Sequence, residues 1–156
     1  MKHYIDKETN EVYAYESDGS QDAFIKKGLV AVSDEELATL RAPTTDQLLQ
    51  QLTQARKEQE RKGVTINGIR YAGDPGNRQT LQEAITYIED VGLAEFPSWK
   101  DSDGVFHQNN PLADVKDAAR AIGARRSQLI AAEGEYAAQI IAGTLTDLTE
   151  TDVVWP

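Results

Sequence analysis

The residues with the clearest potential for chemistry are those that could hold a metal ion. Asp101, Asp103 and Gly104 begin like a calcium-binding loop, in which carboxylates alternate along a tight turn. The third acidic position and the distal Glu of that loop are missing at the required spacing. His3 and His107 lie far apart in the sequence, without the short spacing of zinc ligands. The sequence therefore predicts an Asp-Gly turn and no metal site.

Groups that could perform covalent or acid–base catalysis are present but poorly spaced. Ser98 and Ser127 lack the flanking glycines of a nucleophile elbow. Glu89 and Asp90 are neighbours on a predicted helix and point apart, which is poor geometry for paired carboxylates. The glycine-rich stretch 73–76 precedes a helix like a phosphate-binding loop, but it lacks the spacing and the lysine of nucleotide motifs. The sequence predicts no catalytic residue and no cofactor.

Composition limits the partners that the chain can bind. It has 26 acidic and 16 basic residues and a formal net charge of -10, which argues against nucleic acid because phosphates attract clustered Lys and Arg. It has no cysteine, so disulfides and thiolate chemistry are excluded. The N-terminus lacks the apolar run of a signal peptide, and no segment approaches the roughly 18 apolar residues of a membrane span. We expect one or two soluble compact units, with neither nucleic acid nor membrane as partner.

The elements that would position these residues fall into three segments. In residues 1–43, the short β-branched and aromatic runs 3–5 and 12–15 flank a polar turn and predict a β-hairpin. Ser33 followed by Glu36 is a capping box, and it predicts a helix over 34–41 that stops before Pro43. This segment is interpreted as a small β-rich N-terminal module.

Residues 44–63 are interpreted as an amphipathic helical linker, capped by Thr44 or Thr45 and ended by Gly63. Its narrow apolar stripe contains Leu48, Leu49 and Leu52. An isolated helix of this length is marginal in water, so the stripe should meet either the neighbouring domain or copies of itself in a short coiled coil.

Residues 64–156 are interpreted as an α+β C-terminal domain of two β-hairpins and two helices. Asn67-Gly68 between apolar runs is the strongest hairpin signal in the chain. A helix is predicted from Arg78 to Gly92, and a second hairpin joins 98–100 to 105–107. Asn110 and Pro111 predict the cap and first turn of a long helix, whose Gly123 and Gly134 indicate either close backbone approach or breaks. Trp155 is expected to dock on this domain or on another chain.

Two of these segments are similar to known families. The stretches His3–Asp6, Thr9–Tyr13 and Val30–Leu37 resemble the N-terminal part of bacteriophage tail fibre assembly proteins. Residues 64–142 resemble an uncharacterised domain (DUF4376-like) of phage and prophage tail-region proteins. The matching positions of this second resemblance are Ile69, Tyr71, Asp74, Leu81, Ala84, Trp99, Asp103 and Gly104. The usual C-terminal region of fibre assembly proteins is replaced here by that second domain.

The resemblance implies a non-enzymatic phage tail protein that acts by protein–protein contacts, as a tail fibre assembly chaperone or a fibre-associated protein. The expected partner is a tail fibre or tail-tip protein, and a homotrimer would match fibre symmetry. From the residues, Leu48, Leu49 and Leu52 are predicted to mediate self-association and Trp155 to anchor a contact.

Two alternatives remain open from the sequence. One is a permanent virion component of the tail tip, baseplate or receptor-binding apparatus, which would place the chain in the virion tail rather than only in the host cytoplasm during assembly. The other is an enzyme acting on a cell-wall or surface glycan, which would need convergent carboxylates in a cleft. No spacing of carboxylates in the sequence indicates such a cleft.

Overall fold

The computed structural model describes residues 1–149 and 153–156. It has four α-helices and three small antiparallel sheets, which confirms the predicted α+β class. The chain divides into two compact units, Met1–Pro43 and Thr44–Pro156. The first unit ends at Pro43, where the predicted N-terminal module also ends, and residues 44–63, predicted to be a linker, belong to the second unit.

The first unit is a three-stranded antiparallel sheet followed by a short helix. Its elements are β1 (Lys2–Ile5), β2 (Val12–Tyr15), a 3-10 turn (Asp22–Phe24), β3 (Val30–Val32) and α1 (Asp34–Arg41). The strand order is β2-β1-β3, so β2 and β3 form the edges. The capping box is present as predicted, because the Glu36 amide donates to Ser33 Oγ at 3.1 Å and the Ser33 amide donates to the Glu36 carboxylate at 2.8 Å. Ile5 and Leu37 are its buried apolar residues.

The second unit contains the remaining helices and two hairpins. Its elements are α2 (Thr45–Lys62), β4 (Val64–Ile66), β5 (Ile69–Tyr71), α3 (Pro75–Asp90), β6 (Glu95–Lys100), β7 (Phe106–Pro111) and α4 (Leu112–Ile141). The β4–β5 hairpin turns at Asn67 and Gly68, which both adopt positive φ angles as a tight two-residue turn requires. This prediction is confirmed.

Two helix starts differ from the prediction. Helix α3 begins at Pro75 rather than Arg78, because the Asp74 carboxylate accepts the Gly76 and Asn77 amides and caps the helix earlier. Asn110 does not cap α4. It lies in β7, buried, and its side-chain amide donates to the Tyr71 hydroxyl at 3.0 Å, so α4 starts only after Pro111.

Two apolar clusters hold the second unit together. The larger one joins the β4–β5 hairpin, α3, Phe96 and the first half of α4. Its buried members are Ile69, Tyr71, Leu81, Ile85, Ile88, Phe96, Val115, Ala118 and Ile122. The smaller one lies between α2, the end of α4 and the C-terminal segment. Its buried members are Leu48, Leu52, Ile140, Leu145 and Val153.

Close backbone approach occurs at glycines other than those predicted. A Cβ on Gly73 would lie 2.4 Å from the Glu60 carbonyl oxygen, and one on Gly63 would lie 1.9 Å from the Tyr71 carbonyl oxygen. For Gly123 and Gly134, which lie within the continuous helix α4, no atom of the described residues beyond the neighbouring helix backbone lies within 4 Å of such a Cβ. The prediction of close approach or breaks there is wrong.

Among the four α-helices in the described part of the chain, none is both long and apolar enough to cross a membrane.

Candidate functional site

Strand β3 forms one edge of the sheet in the first unit. Within residues 1–149 and 153–156, β3 pairs only with β1. Val30 is 41% exposed and Ala31 is also exposed. Phe24 and Leu40 of the same unit are 74% and 52% exposed. A sheet edge with exposed apolar side chains can pair with another strand, and the three residues of β3 limit such pairing to a short segment.

The opposite edge, β2, is covered by charged and hydrogen-bonding side chains. Lys26 Nζ lies 4.4 Å from the centre of the Tyr13 ring and 3.2 Å from its hydroxyl. That hydroxyl donates to the Glu11 carboxylate at 2.6 Å. The contact with Tyr13 raises the pKa of Lys26 above its usual value. A lysine over an edge strand discourages pairing, so the two edges differ in chemistry.

The structure places the predicted self-association residues in the smaller apolar cluster. Leu48 and Leu52 are buried against the chain's own Ile140, and Leu52 is only 1% exposed. Leu49 is half-buried beside them. The stripe was expected to meet either the neighbouring domain or copies of itself, and the structure shows contact within the chain. Self-association through these leucines stays a prediction, and the intrachain packing accounts for the stripe without it.

Trp155 also packs onto its own unit. Its ring lies 6.0 Å from the Tyr136 ring in an edge-to-face arrangement. The Tyr136 hydroxyl donates to the Val154 carbonyl at 3.0 Å and accepts from the Val154 amide at 2.9 Å, which fixes this segment along α4. Trp155 remains half-buried, and its role as an anchor for another chain stays a prediction.

Glu60 forms an ion network that the sequence did not indicate. Its side chain is buried and contacts Arg56 on the same helix. It also lies 3.2 Å from Arg126 Nε and 3.4 Å from Arg78 Nη1. A second contact joins Arg56 Nε and the Glu133 carboxylate at 2.6 Å. Arg126 and Glu133 of α4 thus each contact a charged side chain of α2.

The turn after β6 is built around Asp101. Its carboxylate accepts the Asp103 amide at 2.9 Å and the Val105 amide at 2.8 Å, and it lies 2.8 Å from His107 Nε2. The contact with His107, followed by those backbone amides, lowers the pKa of Asp101. The predicted Asp-Gly turn is confirmed. The Asp101 oxygens contact amides of the turn and His107, and the Asp103 carboxylate accepts from Arg70 Nε at 2.9 Å.

The remaining predicted candidates do not come together in the structure. Ser98 lies on β6 and Ser127 on α4, and both are exposed. Asp74 caps α3. Within residues 1–149 and 153–156, no group of three or more His, Asp or Glu side chains is placed to hold a metal ion.

Comparison with known proteins gives one match. The family model "Domain of unknown function (DUF4376)" matches residues 43–154. Neither the curated proteins nor the solved structures contain a match to the chain. The matched segment begins one residue before the second compact unit and includes α2, in agreement with the boundary after Pro43. Since that model covers more than half of the 156 residues, the protein belongs to the DUF4376 family.

Proposed function

We propose that this protein acts through protein–protein contacts in bacteriophage tail assembly, as a chaperone of a tail fibre or as a fibre-associated protein. The observation that carries the proposal is the open β3 edge with exposed Val30 and Ala31. The resemblance of residues 1–43 to tail fibre assembly proteins supports the same assignment. The proposed partner is a tail fibre or tail-tip protein, bound in the host cytoplasm during assembly.

The proposed contact is strand addition. Backbone hydrogen bonds along β3 would supply affinity, and apolar side chains beside the edge would select the partner strand. Fibres are β-rich and expose unpaired edges while they fold slowly, so a partner that pairs with such an edge would prevent wrong association. The edge β2 is not proposed for this role because Lys26 covers Tyr13 on that side.

Co-expression with the neighbouring fibre gene, followed by size-exclusion chromatography, tests the proposal. We expect co-elution of the two proteins. We expect Ala31→Lys, which places a charge on the β3 edge, to weaken the complex by about tenfold or more, since one tenfold step corresponds to only about 1.4 kcal/mol. The matched control is Ala14→Lys on the exposed position of β2, which should leave the complex intact.

Separate elution of two folded proteins would overturn the proposal, as would equal weakening by Ala14→Lys and Ala31→Lys. Mass spectrometry of purified particles addresses the second candidate, a permanent component of the tail tip, baseplate or receptor-binding apparatus. Recovery in stoichiometric amounts favours that candidate, and absence from the particles favours the chaperone.

A further inference from the structure

A cavity in the second unit lies between the start of α3 and strand β6. Its volume is about 200 Å³, and we call it the ring pocket. Tyr71, Leu81 and Trp99 supply its apolar wall, while Asn77, Thr80 and Ser98 supply polar groups. Trp99 is held in place by two neighbours, since its ring centre lies 4.9 Å from that of Phe96 and 5.8 Å from that of Tyr71.

The ring pocket is continuous with a wider, shallower depression of about 740 Å³, which we call the basic groove. The two share Ala72, Asn77, Lys100, Asp101 and Ser102. The groove is further lined by cationic side chains. These are Arg61, Lys62 and Arg70, and together with Lys100 they face a lining that also contains the carboxylates of Glu58, Asp74 and Asp101. Four cations against three anions give the groove a slight excess of positive charge, in a chain with a net charge of -10.

The three anions that line the groove each have a partner in the chain, and two of its cations are paired as well, Arg61 with Glu58 at 3.4 Å and Arg70 with Asp103 at 2.7 Å. Asp74 caps α3, and Asp101 accepts two amides beside His107. In the described part of the chain, neither Lys62 nor Lys100 has a carboxylate within ion-pair distance. Lys100 Nζ lies only over the Phe106 ring, at 5.6 Å from its centre. The groove therefore offers free positive charge next to the pocket.

The uncharged groups of the ring pocket are able to both donate and accept hydrogen bonds. Within the described residues, the exposed Ser98 hydroxyl has no protein partner. The Ser102 hydroxyl accepts the Ala72 amide at 2.8 Å and keeps its own proton for donation. The Thr80 hydroxyl donates to the Gly76 carbonyl at 3.1 Å and keeps its lone pairs. Several hydroxyls beside an aromatic wall suit a ligand that itself carries several hydroxyls on an apolar ring.

We propose that the ring pocket and the basic groove bind an acidic sugar, with one sugar ring against Trp99 and its carboxylate at Lys100. The volume of the ring pocket agrees with that of one sugar ring. Sites for drug-sized ligands have volumes from about 300 Å³, and the pocket's volume of about 200 Å³ suits a single six-membered ring with its substituents. The open groove past Lys62, which has no carboxylate partner among the described residues, would take further acidic units of a polysaccharide. The proposal is independent of the strand-addition proposal, which concerns the other unit.

The two tryptophans make a direct test possible. In ¹H–¹⁵N NMR spectra, D-galacturonate should shift the indole resonance of Trp99, in the pocket wall, and leave that of Trp155 in place. D-galactose, which lacks the carboxylate, and acetate, which lacks the ring, should each bind at least tenfold more weakly. Trigalacturonate should bind more tightly than the monomer, which would identify a polysaccharide as the source of the sugar.

Matched variants separate binding from folding. Lys100→Gln should weaken galacturonate binding about tenfold, as expected for loss of a charge-assisted hydrogen bond. Lys27→Gln makes the same chemical change in the first unit and should not alter binding. Ser98→Ala, at an exposed position, should weaken binding while the rest of the spectrum stays unchanged.

Four results would overturn the proposal. The first is no shift of Trp99 with any probe, and the second is an equal shift of Trp155. The third is equal affinity for galactose and galacturonate, and the fourth is equal weakening by Lys27→Gln and Lys100→Gln. Equal affinity for monomer and trimer would overturn the role of the basic groove and leave a free sugar acid as the ligand.

Discussion

Glu60 on α2 and Arg126 on α4 lie 3.2 Å apart, from carboxylate oxygen to Nε, and their contact joins two helices that are distant in the sequence. Glu60 is only 7% exposed and also faces Arg56 and Arg78. Removal of a buried carboxylate that is surrounded by arginines lowers the stability of the fold, because the arginines lose their counter-ion.

Glu60→Gln should therefore destabilise the second unit. Breaking a buried ion pair costs about 3–5 kcal/mol, and we expect about 2–4 kcal/mol here because Arg78 and Arg126 are partly exposed and can be hydrated. Urea denaturation followed by circular dichroism measures the change. Glu58→Gln, which removes an exposed contact with Arg61 at 3.4 Å, is the control and should cost less than about 1 kcal/mol. Equal effects would contradict the network.

Replacement of glycine by alanine should have opposite effects on stability at Gly73 and at Gly123. Gly73→Ala should destabilise the fold, since its Cβ would lie 2.4 Å from the Glu60 carbonyl oxygen and would force α2 away. Gly123→Ala should stabilise the fold by up to about 1 kcal/mol, because alanine is the better helix former and, in the part of the chain that the structure describes, the new Cβ would meet no atom outside its own helix within 4 Å. Thermal unfolding of the two variants measures whether each change raises or lowers the stability. Destabilisation by Gly123→Ala would contradict the prediction and indicate a close neighbour of that position.

Tyr136→Phe should loosen the C-terminal segment. The hydroxyl makes two hydrogen bonds with the backbone of Val154, and the loss should cost about 1–2 kcal/mol. The indole resonance of Trp155, which ¹H–¹⁵N NMR separates from that of Trp99, should shift toward that of a solvated indole. Tyr87→Phe, at an exposed position of α3, is the matched control and should change neither quantity. An unchanged Trp155 resonance in Tyr136→Phe would contradict the role of this hydroxyl.

The turn at Asp101 predicts a dependence of stability on pH. The contact with His107 lowers the folded-state pKa of Asp101 below its ordinary value of 3.8. A carboxylate with a lowered pKa stabilises the fold at pH values above its unfolded-state pKa, and this contribution is lost as the pH falls through the folded-state pKa. The wild type should thus exceed Asp101→Asn in stability at pH 6 and lose that advantage as the pH falls below about 3.8. Urea denaturation across this range measures the difference. A difference that does not vary with pH would exclude the carboxylate as its source.

Local signals in the sequence were sufficient for the hairpins and caps. Asn67-Gly68 and the Ser33–Glu36 capping box each specify a geometry within a few residues, and both are present. Asn110-Pro111 does not cap α4 as predicted, because the same dipeptide can start a helix or end a strand. The deciding contact, with Tyr71, comes from a residue 39 positions away.

The candidate sites were harder to predict because each is formed by residues that are distant in the sequence. No periodicity relates Glu60 to Arg126, and none relates Lys100 to the α3 residues Asn77 and Thr80. The free edge of β3 depends on strand order, which becomes known only once β1 is seen to pair on both sides. The leucine stripe of α2 was recognised, but a stripe alone does not distinguish a fold-back from an oligomer.

The small core of the first unit has a consequence for how a partner would be detected. With Ile5 and Leu37 as its buried apolar side chains, this unit gains little from the hydrophobic effect and should open at a low free energy. A strand that pairs with β3 would bind only the folded form of this unit. It would therefore slow amide hydrogen exchange throughout residues 1–43. Protection from exchange would thus reveal ligand occupancy of that edge well before a stable complex could be isolated.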